Sequence, residues 1–414
     1  MILIQKTLKY IFNYRIFCLF NFIMLILRIL YSCKMGFSAL TFEDWGIANN
    51  LVNHNIYAEF PEVGATAYKM PVNPLFLTFF VWLFGKNAMM MAVIAQSLIS
   101  FVIPVLIIKI SRIFTAENIG ILTAYFFIFS PSYFIYVNTL ENTIIFIFIF
   151  LNFLYWFFTI WKSGSDTKNI IIFSISSALL FLCQVVSVPF GLILILSLFI
   201  FKKVRFRGIF IIITLVVVLY SPWVIRNYIV FDRIILTKTP VWQNIHFGFF
   251  EETQVFSELQ KVPIKRANEI RRIRTYTDEF EMEKLFKKEV LQFEKEDRFI
   301  NVKKAFANLL YLWYVPSRYF YDNSISVLIG RKIYVVVLNL LTIICLIKVA
   351  RRKQWYLFTF SILLFLNFSA PYMIGQAAMT RFKLDFEWYQ LFLVSYLLSF
   401  ININRIKKLQ SVDN

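Results

Sequence analysis

The chain has 414 residues, of which 59% are hydrophobic and 16% are charged, and its mean hydropathy is +0.67. A single soluble domain cannot cover so much apolar surface with a polar exterior, so the composition excludes an ordinary soluble protein and predicts an all-α membrane protein with the lipid bilayer as a partner. The formal net charge of +19 is divided among short clusters at the ends of apolar runs, a distribution that does not predict binding to nucleic acid.

Ten apolar runs are long enough to cross a bilayer as helices, which satisfy their own backbone groups in hydrocarbon. They lie at 16–33, 88–110, 118–136, 140–161, 169–185, 187–201, 208–224, 332–350, 355–372 and 385–401. The first run lacks a small-residue cleavage site, so we expect it to stay in the mature protein. The pattern predicts a bundle of about ten transmembrane helices.

A further apolar run, 71–85, is short for a span and begins with two prolines. Counting it as a crossing would place Lys109 and Arg112 outside the cell and invert every later connection. We therefore predict a helix that lies on, or dips into, the external interface.

Lysine and arginine recur at every second membrane boundary, which is the pattern of cytoplasmic loops. These residues are Lys6, Lys9, Arg15, Lys109, Arg112, Lys162, Lys168, Lys202, Lys203, Arg205, Arg207, Lys348, Arg351, Arg352, Lys353, Arg405, Lys407 and Lys408. Both termini are then cytoplasmic. The opposite, external side receives Glu43, Asp44, Glu59, Glu62, Glu141, Asp385 and Glu387.

This topology divides the chain into three regions. Residues 1–224 form an N-terminal transmembrane core that includes the first external loop, 34–87. Residues 225–330 form an external, periplasmic loop subdomain of mixed charge, and residues 331–414 form the C-terminal transmembrane helices and a cytoplasmic tail.

The loop subdomain contains an apolar pattern of helical period amid Glu and Lys residues. Its members are Met282, Leu285, Phe286, Val290 and Phe293. We expect an amphipathic helix that packs on the rest of the protein.

No cofactor and no metal site are predicted. The four cysteines (Cys18, Cys33, Cys183 and Cys345) have no metal-ligand spacing, and His54 and His246 are the only histidines. Carboxylates could ligate a divalent cation, but no motif supports one.

Candidate catalytic residues begin with Glu43 and Asp44, directly after the first span. An acidic pair at a bilayer edge costs free energy unless water, cations or a function keep it there. Glu141 precedes a long apolar run and raises the same question. The alternatives are solvated loop acids for the pair and, for Glu141, an acid in the headgroup layer or one that favours a helix N-terminus.

Several polar residues near other external ends could join these carboxylates in one cavity. Lys69, Arg226 and Arg381 are the cations, and Asn227 and His54 are the neutral candidates. Arginine can clamp a phosphate with two hydrogen bonds, and lysine offers a point charge. The alternative for Arg226 is a side chain that snorkels beside interfacial tryptophan.

Several sequence stretches carry a resemblance to a known family. Among them are Glu43-Asp-Trp-Gly-Ile-Ala-Asn-Asn-Leu51, Thr66-Ala-Tyr-Lys-Met-Pro-Val-Asn-Pro74, Leu140-Glu-Asn-Thr143 and Ser221-Pro-Trp-Val-Ile-Arg-Asn-Tyr-Ile-Val-Phe231. In this order the motifs resemble the GT-C superfamily of integral-membrane glycosyltransferases, specifically its family 39 and aminoarabinose-transferase-like bacterial branch. Asn73 stands where that family usually has tyrosine, and the stretch that begins at Arg381 lacks the family's prolines.

The resemblance implies a GT-C-like bundle in a bacterial cytoplasmic (inner) membrane, with the active site facing the periplasm or exterior. It implies a hexosyl- or pentosyltransferase that takes a sugar from a polyprenyl-phosphate-linked donor and passes it, with inversion, to a lipid, glycan or protein acceptor. Glu43 or Asp44 would be the general base, and Glu141 would support the base or orient the acceptor. Lys69, Arg226 and Arg381 would bind the lipid phosphate.

Two other functions stay open at this stage. A polysaccharide polymerase or ligase would use arginines and a histidine in its large loop, where this chain has only His246. A transporter or flippase of lipid-linked sugar would place ionisable residues near mid-membrane in broken helices, whereas the polar groups here collect at one face. The sugar, the acceptor, the lipid length, metal dependence and the oligomeric state are not determined by the sequence.

Overall fold

The computed structural model of the chain describes residues 12–164, 166–252, 254, 256–314, 325–375 and 380–410. Helices account for most of these residues. In chain order they are α1 (Tyr14–Lys34), α2 (Glu43–His54), α3 (Val72–Phe84), α4 (Ala88–Phe114), α5 (Glu117–Ile128), α6 (Pro131–Ile135), α7 (Thr143–Ser163), α8 (Thr167–Cys183), α9 (Val188–Ile200), α10 (Phe206–Phe231), α11 (Val241–Phe247), α12 (Ile264–Ile273), α13 (Glu279–Glu296), α14 (Ile300–Trp313), α15 (Ile325–Arg351), α16 (Trp355–Ile374) and α17 (Thr380–Gln410).

Six helical stretches among the described residues are long and apolar enough to cross a membrane. They are Tyr14–Lys34, Val72–Phe114, Thr143–Ser163, Phe206–Phe231, Ile329–Arg351 and Trp355–Ile374. A seventh would be the bent pair Glu117–Ile128 and Pro131–Asn138, and two shorter apolar helices cover Thr167–Cys183 and Val185–Ile200. A helical membrane protein is thus confirmed, while the number of ten spans stays a prediction.

Local sequence explains where several helices begin and end. Asp166 and Asp278 cap α8 and α13, accepting hydrogen bonds from the backbone N–H of Lys168 (2.9 Å) and Phe280 (2.8 Å). Gly164 follows α7 with φ +86°, a conformation that side chains with a β-carbon rarely adopt. Gly164 thus ends α7, and Asp166 starts α8 two positions later.

Helix α7 is the centre of the bundle. In its most apolar stretch 72% of the residues are buried, against 17% for α10 and 28% for α1. Phenylalanine rings fill the space around α7, as in the edge-to-face pair of Phe150 and Phe368 with centroids 5.7 Å apart. The peripheral helices keep one apolar face outward, as contact with lipid requires.

One two-residue parallel strand pair joins two distant parts of the chain. Strand β1 (Leu40–Thr41) pairs with β2 (Thr139–Leu140), Leu40 opposite Thr139. Parallel strands end on the same side, so the residues that follow them, Glu43 in one segment and Glu141 in the other, come to the same end of the bundle.

The long connection between α10 and α15 folds as a compact helical unit, which we call the loop subdomain (described residues 232–314). Helix α10 continues to Phe231, so this unit starts later than the predicted boundary at 225. Met282, Phe286 and Val290 of α13 are buried in its core, and Leu285 and Phe293 pack against that core. The predicted amphipathic helix is therefore confirmed.

The loop subdomain is seated on the end of α16. The side-chain amide of Asn308 donates to the carbonyl oxygens of Tyr372 (3.1 Å) and Gly375 (2.8 Å). The backbones also approach closely at Gly248, where a β-carbon would lie 2.3 Å from the Gly375 carbonyl oxygen. Only glycine fits at that contact.

Candidate functional site

A cavity of about 500 Å³ lies where the first loop, the loop subdomain and several membrane helices meet. Its polar walls come from the start of α2, the segment before α3, the start of α7 and the start of α17. The loop subdomain and the end of α16 complete the wall. The cavity is thus built at one end of the bundle from elements far apart in sequence.

Glu43, Asp44 and Lys69, three of the predicted site residues, meet in this cavity. The Lys69 ammonium lies 3.2 Å from a Glu43 carboxylate oxygen and 3.5 Å from one of Asp44. The side chain of Asp44 is 5% exposed and that of Glu43 is 29% exposed. Both acids lie in the first turn of α2, where the helix dipole favours negative charge. A cation and the dipole together explain why two adjacent carboxylates can stay here.

Asp385 brings a third carboxylate into the cavity from α17, where it is 3% exposed. The sequence analysis places Asp385 among the external acids but not among the site residues. Lys238, from the loop subdomain, is another cavity residue that the analysis does not single out. Asp385 opens the last predicted span, and Lys238 lies in the loop subdomain. No motif marks either residue, so no signal in the sequence would bring them to this cavity.

Asn73 is a further cavity residue, and its environment is unusual. The side chain is 2% exposed, and among the described residues neither the amide nitrogen nor the amide oxygen has a hydrogen-bond partner. Leaving a buried polar group unpaired costs about 1–3 kcal/mol, so natural proteins seldom do so without a reason. An amide that lines a cavity is available to a bound ligand.

The start of α7 faces the same cavity through Asn142 and Thr143. The side-chain amide of Asn142 donates to the Cys183 carbonyl oxygen at 2.8 Å, which fixes the start of α7 against the end of α8. The N-terminus of a 21-residue helix carries a partial positive charge. Together with Lys69 and Lys238 it offers positive groups to an anion such as a phosphate, beside the three carboxylates that line the same cavity.

Glu141 lies beside this site but does not line the cavity. It is 3% exposed, and a carboxylate oxygen accepts a hydrogen bond from the Tyr136 hydroxyl at 2.5 Å. Its neighbours Asn142 and Thr143 reach the cavity instead. This placement suits a supporting role better than direct contact with a substrate.

Arg226 and Asn227 lie outside the cavity lining and hold chain segments together. The Arg226 guanidinium donates to the Thr66 carbonyl oxygen at 2.8 Å and to that of Tyr57 at 3.3 Å. The Asn227 amide, fully buried, donates to the Ile235 carbonyl oxygen at 3.1 Å. We assign Arg226 to fixing the first loop against α10, and Asn227 to fixing the segment that follows α10, rather than either to a phosphate.

The two remaining predicted residues are not part of the described cavity. His54 is exposed at the last position of α2. The side chain of Arg381 lies outside the part of the chain that the structure describes.

One wall of the cavity is apolar and continues along the membrane helices. Val185, Val186 and Pro189 form this wall on the α9 side, and Pro371 and Ile374 form it on the α16 side. Below it, Leu192 and Leu196 lie on α9 at helical spacing from Pro189, and they are 53% and 55% exposed. An apolar, lipid-facing path therefore leads from the polar cavity along the bundle surface.

No family model and no curated protein matches this chain. The resemblance to GT-C glycosyltransferases consequently remains an expectation that rests on the short motifs quoted above.

The arrangement has a defined chemical capability. Carboxylates can accept a proton from a hydroxyl group, and the nearby lysines with the α7 N-terminus can stabilise a phosphate. The apolar wall can accommodate a lipid chain. The cavity therefore suits a ligand that combines a hydroxyl or sugar, a phosphate and a lipid.

Proposed function

We propose that this protein is a membrane glycosyltransferase that moves a sugar from a polyprenyl-phosphate donor to a hydroxyl-bearing acceptor on the external face. The observation that carries the proposal is the meeting of Glu43, Asp44 and Lys69 in one cavity that also has a lipid-facing apolar wall. Lys69 would bind the donor phosphate, the apolar wall would hold the lipid chain, and the carboxylates would accept the proton of the acceptor.

The proposed reaction is a single displacement. The acceptor oxygen attacks the anomeric carbon while a carboxylate takes its proton, and the bond from that carbon to the phosphate oxygen breaks with both electrons leaving on the phosphate. A phosphate leaving group needs no proton because it is already a stable anion. Attack from the face opposite to the leaving group inverts the anomeric centre.

The two adjacent carboxylates differ in access. Glu43 is the more exposed of the pair and could reach an acceptor directly, whereas the buried Asp44 can hold Lys69 in place. Lys69 contacts both acids and also lines the cavity, so a donor phosphate that binds it would draw its charge away from the carboxylates. This exchange would free a base at the moment the donor is bound.

The apolar path supports a lipid-linked donor in preference to a soluble sugar nucleotide. Exposed Leu192 and Leu196 below the cavity give an isoprenoid chain a surface continuous with the bilayer. The sugar and the phosphate would then lie in the polar part, at the level of Asn73, Asn142 and Asp385.

The test is a transfer assay with the purified full chain in lipid nanodiscs. Polyprenyl-phosphate hexoses, pentoses and amino sugars are supplied with a bacterial cell-envelope extract as the acceptor source, and mass spectrometry follows the release of polyprenyl phosphate and the product. We expect release from at least one donor, and loss of release in a Glu43→Gln, Asp44→Asn double variant. Equal release by the double variant, or transport of labelled donor across vesicles without any transfer, would contradict the proposal.

A further inference from the structure

A second cavity, of about 280 Å³, lies behind the first loop. It is enclosed by residues 59–68, by the end of α10 and by the start of α13 in the loop subdomain. Tyr68 lines this cavity and also the larger one, so the two cavities share one wall residue. The volume is near the lower end of the range for small-molecule sites, about 300 Å³.

The charged groups around this second cavity are already compensated. Arg274 and Glu59 form an ion pair at 2.6 Å, and Asp278 caps its own helix. The Glu279 carboxylate accepts hydrogen bonds from the Thr66 hydroxyl (2.7 Å), the Ala67 N–H (3.0 Å) and the Thr239 hydroxyl (2.6 Å). A phosphate would meet three carboxylates and one arginine, and an ammonium group would meet carboxylates that are already paired. Neither ion suits this lining.

One polar group in the lining lacks a partner. Gln243 is 1% exposed, its amide nitrogen donates to the Tyr68 hydroxyl at 3.1 Å, and its amide oxygen has no hydrogen-bond partner among the described residues. Exchanging the nitrogen and oxygen positions would leave the other end unpaired, because Tyr68 contacts only one of them. A ligand hydroxyl, which can both donate and accept, would form a hydrogen bond with the unpaired end of the Gln243 amide.

The remaining surface is aromatic. Phe60, Phe231 and Phe280 line the cavity together with Tyr68. Aromatic rings present apolar faces that pack against the C–H groups of a sugar, while amide and carboxylate groups bind its hydroxyls. Burial also raises the pKa of Glu59 to about 7, while the Arg274 ion pair opposes that shift.

We propose that the second cavity binds a neutral, hydroxyl-rich group, namely a sugar ring of the acceptor, with Gln243 as a direct hydrogen-bond partner. This proposal rests on the proposed function, because it is the adjacency to the cavity of Glu43 and Asp44, through the shared wall residue Tyr68, that makes the bound sugar an acceptor. The Lys69 ammonium lies 5.3 Å from the Tyr68 ring centre, and the Arg274 guanidinium lies 4.9 Å from it. The acceptor would therefore be recognised beside the carboxylates while the donor occupies the larger cavity.

The experiment is saturation-transfer NMR on the full chain in nanodiscs. The probes are glucose, galactose, mannose and N-acetylglucosamine, and inorganic phosphate and ethanolamine are added as charged competitors. We expect at least one sugar to bind, and neither charged competitor to displace it from the second cavity. Ala65→Phe should fill the cavity and remove sugar binding, and Gln243→Leu should weaken it about tenfold, as the loss of one hydrogen bond at a buried site predicts.

Glu62→Phe is the matched control, because Glu62 is exposed in the same loop and does not line the cavity. It should bind sugar as the unchanged protein does, and all three variants should still bind polyprenyl phosphate, which also reports that they fold. Absence of sugar binding, sugar binding unaltered by both cavity variants, or displacement of the sugar by phosphate or ethanolamine would overturn the inference. If sugar binds here but no lipid-linked donor is consumed, the proposed function fails and the sugar site stands. If transfer occurs without any sugar binding here, only this inference fails.

Discussion

A carboxylate oxygen of Glu279 lies 2.7 Å from the hydroxyl of Thr66, and this contact links the loop subdomain to the segment that carries Lys69. Glu279 is the first residue of α13, and its other bonds reach Ala67 and Thr239. One side chain of α13 thus connects two other segments, at Thr66 and Ala67 and at Thr239, at the edge of the candidate site.

We predict that Glu279→Gln loosens this junction. The amide keeps the shape but loses the charge and one acceptor, which should destabilise the protein by about 1–3 kcal/mol. Hydrogen–deuterium exchange should become faster in residues 57–70. Glu281→Gln, at an exposed position of the same helix, is the control and should leave exchange unchanged. Equal exchange in both variants would show that Glu279 does not hold the loop.

The acid pair gives a second prediction. Glu43→Gln or Asp44→Asn should lower the rate of sugar transfer about 100-fold or more, because an amide cannot accept the proton of the acceptor hydroxyl. The variant with the larger loss identifies the base, and thermal unfolding should show that both proteins still fold. Glu62→Gln, in the same loop, should keep its activity. Full activity in the two single variants would remove both residues from the chemistry.

Asn73 allows a prediction in which stability and binding change in opposite directions. Asn73→Leu replaces an unpaired buried amide by an apolar group of similar size, so the free energy of unfolding should rise, by about 1 kcal/mol. Affinity for the lipid-linked donor should fall, since the amide is available only to a ligand. Asn50→Leu is the control, because the Asn50 amide already donates to the Ala58 carbonyl oxygen at 2.9 Å and its loss should destabilise the protein. A less stable Asn73→Leu protein with unaltered donor affinity would show that Asn73 serves the fold alone.

Glu59 predicts a pH dependence of stability. Burial raises its pKa from 4.5 to about 7 in the folded protein, with the Arg274 charge opposing that shift. The folded state then binds the proton more tightly than the unfolded state does, so this contribution to stability is complete below pH 4.5 and is lost as the pH rises through about 7. Glu59→Gln should remove the loss, and its melting temperature relative to the unchanged protein should increase between pH 5 and pH 8. Parallel melting curves across this range would mean that Glu59 does not titrate as inferred.

The sequence predicts the helical membrane class because apolar length and period are local properties. The same reasoning finds α13, whose Met282, Phe286 and Val290 point to one core. It also brings Glu43 and Lys69 into one hypothesis, since each lies at or near the external end of an element. These predictions depend on local patterns of apolar and charged residues.

The remaining parts of the site depend on contacts between distant segments. Asp385 lies in a helix 341 positions after Asp44, and no local signal connects the two, yet both line one cavity. Arg226 has the residue type expected of a phosphate ligand, but the carbonyl oxygens of Thr66 and Tyr57 occupy its guanidinium. Which cations contact a ligand depends on the packing of distant segments, and no single motif predicts that packing.

The close approach of Gly248 to Gly375 makes the shape of the cavity depend on a contact away from its charged residues. Gly375 lines the cavity, whereas Gly248 belongs to the loop subdomain, and the carbonyl of one occupies the space that a methyl group on the other would need. A Gly248→Ala substitution would have to push the loop subdomain and the end of α16 apart. Its effect would be a wider or distorted cavity mouth, although none of the charged side chains had been touched.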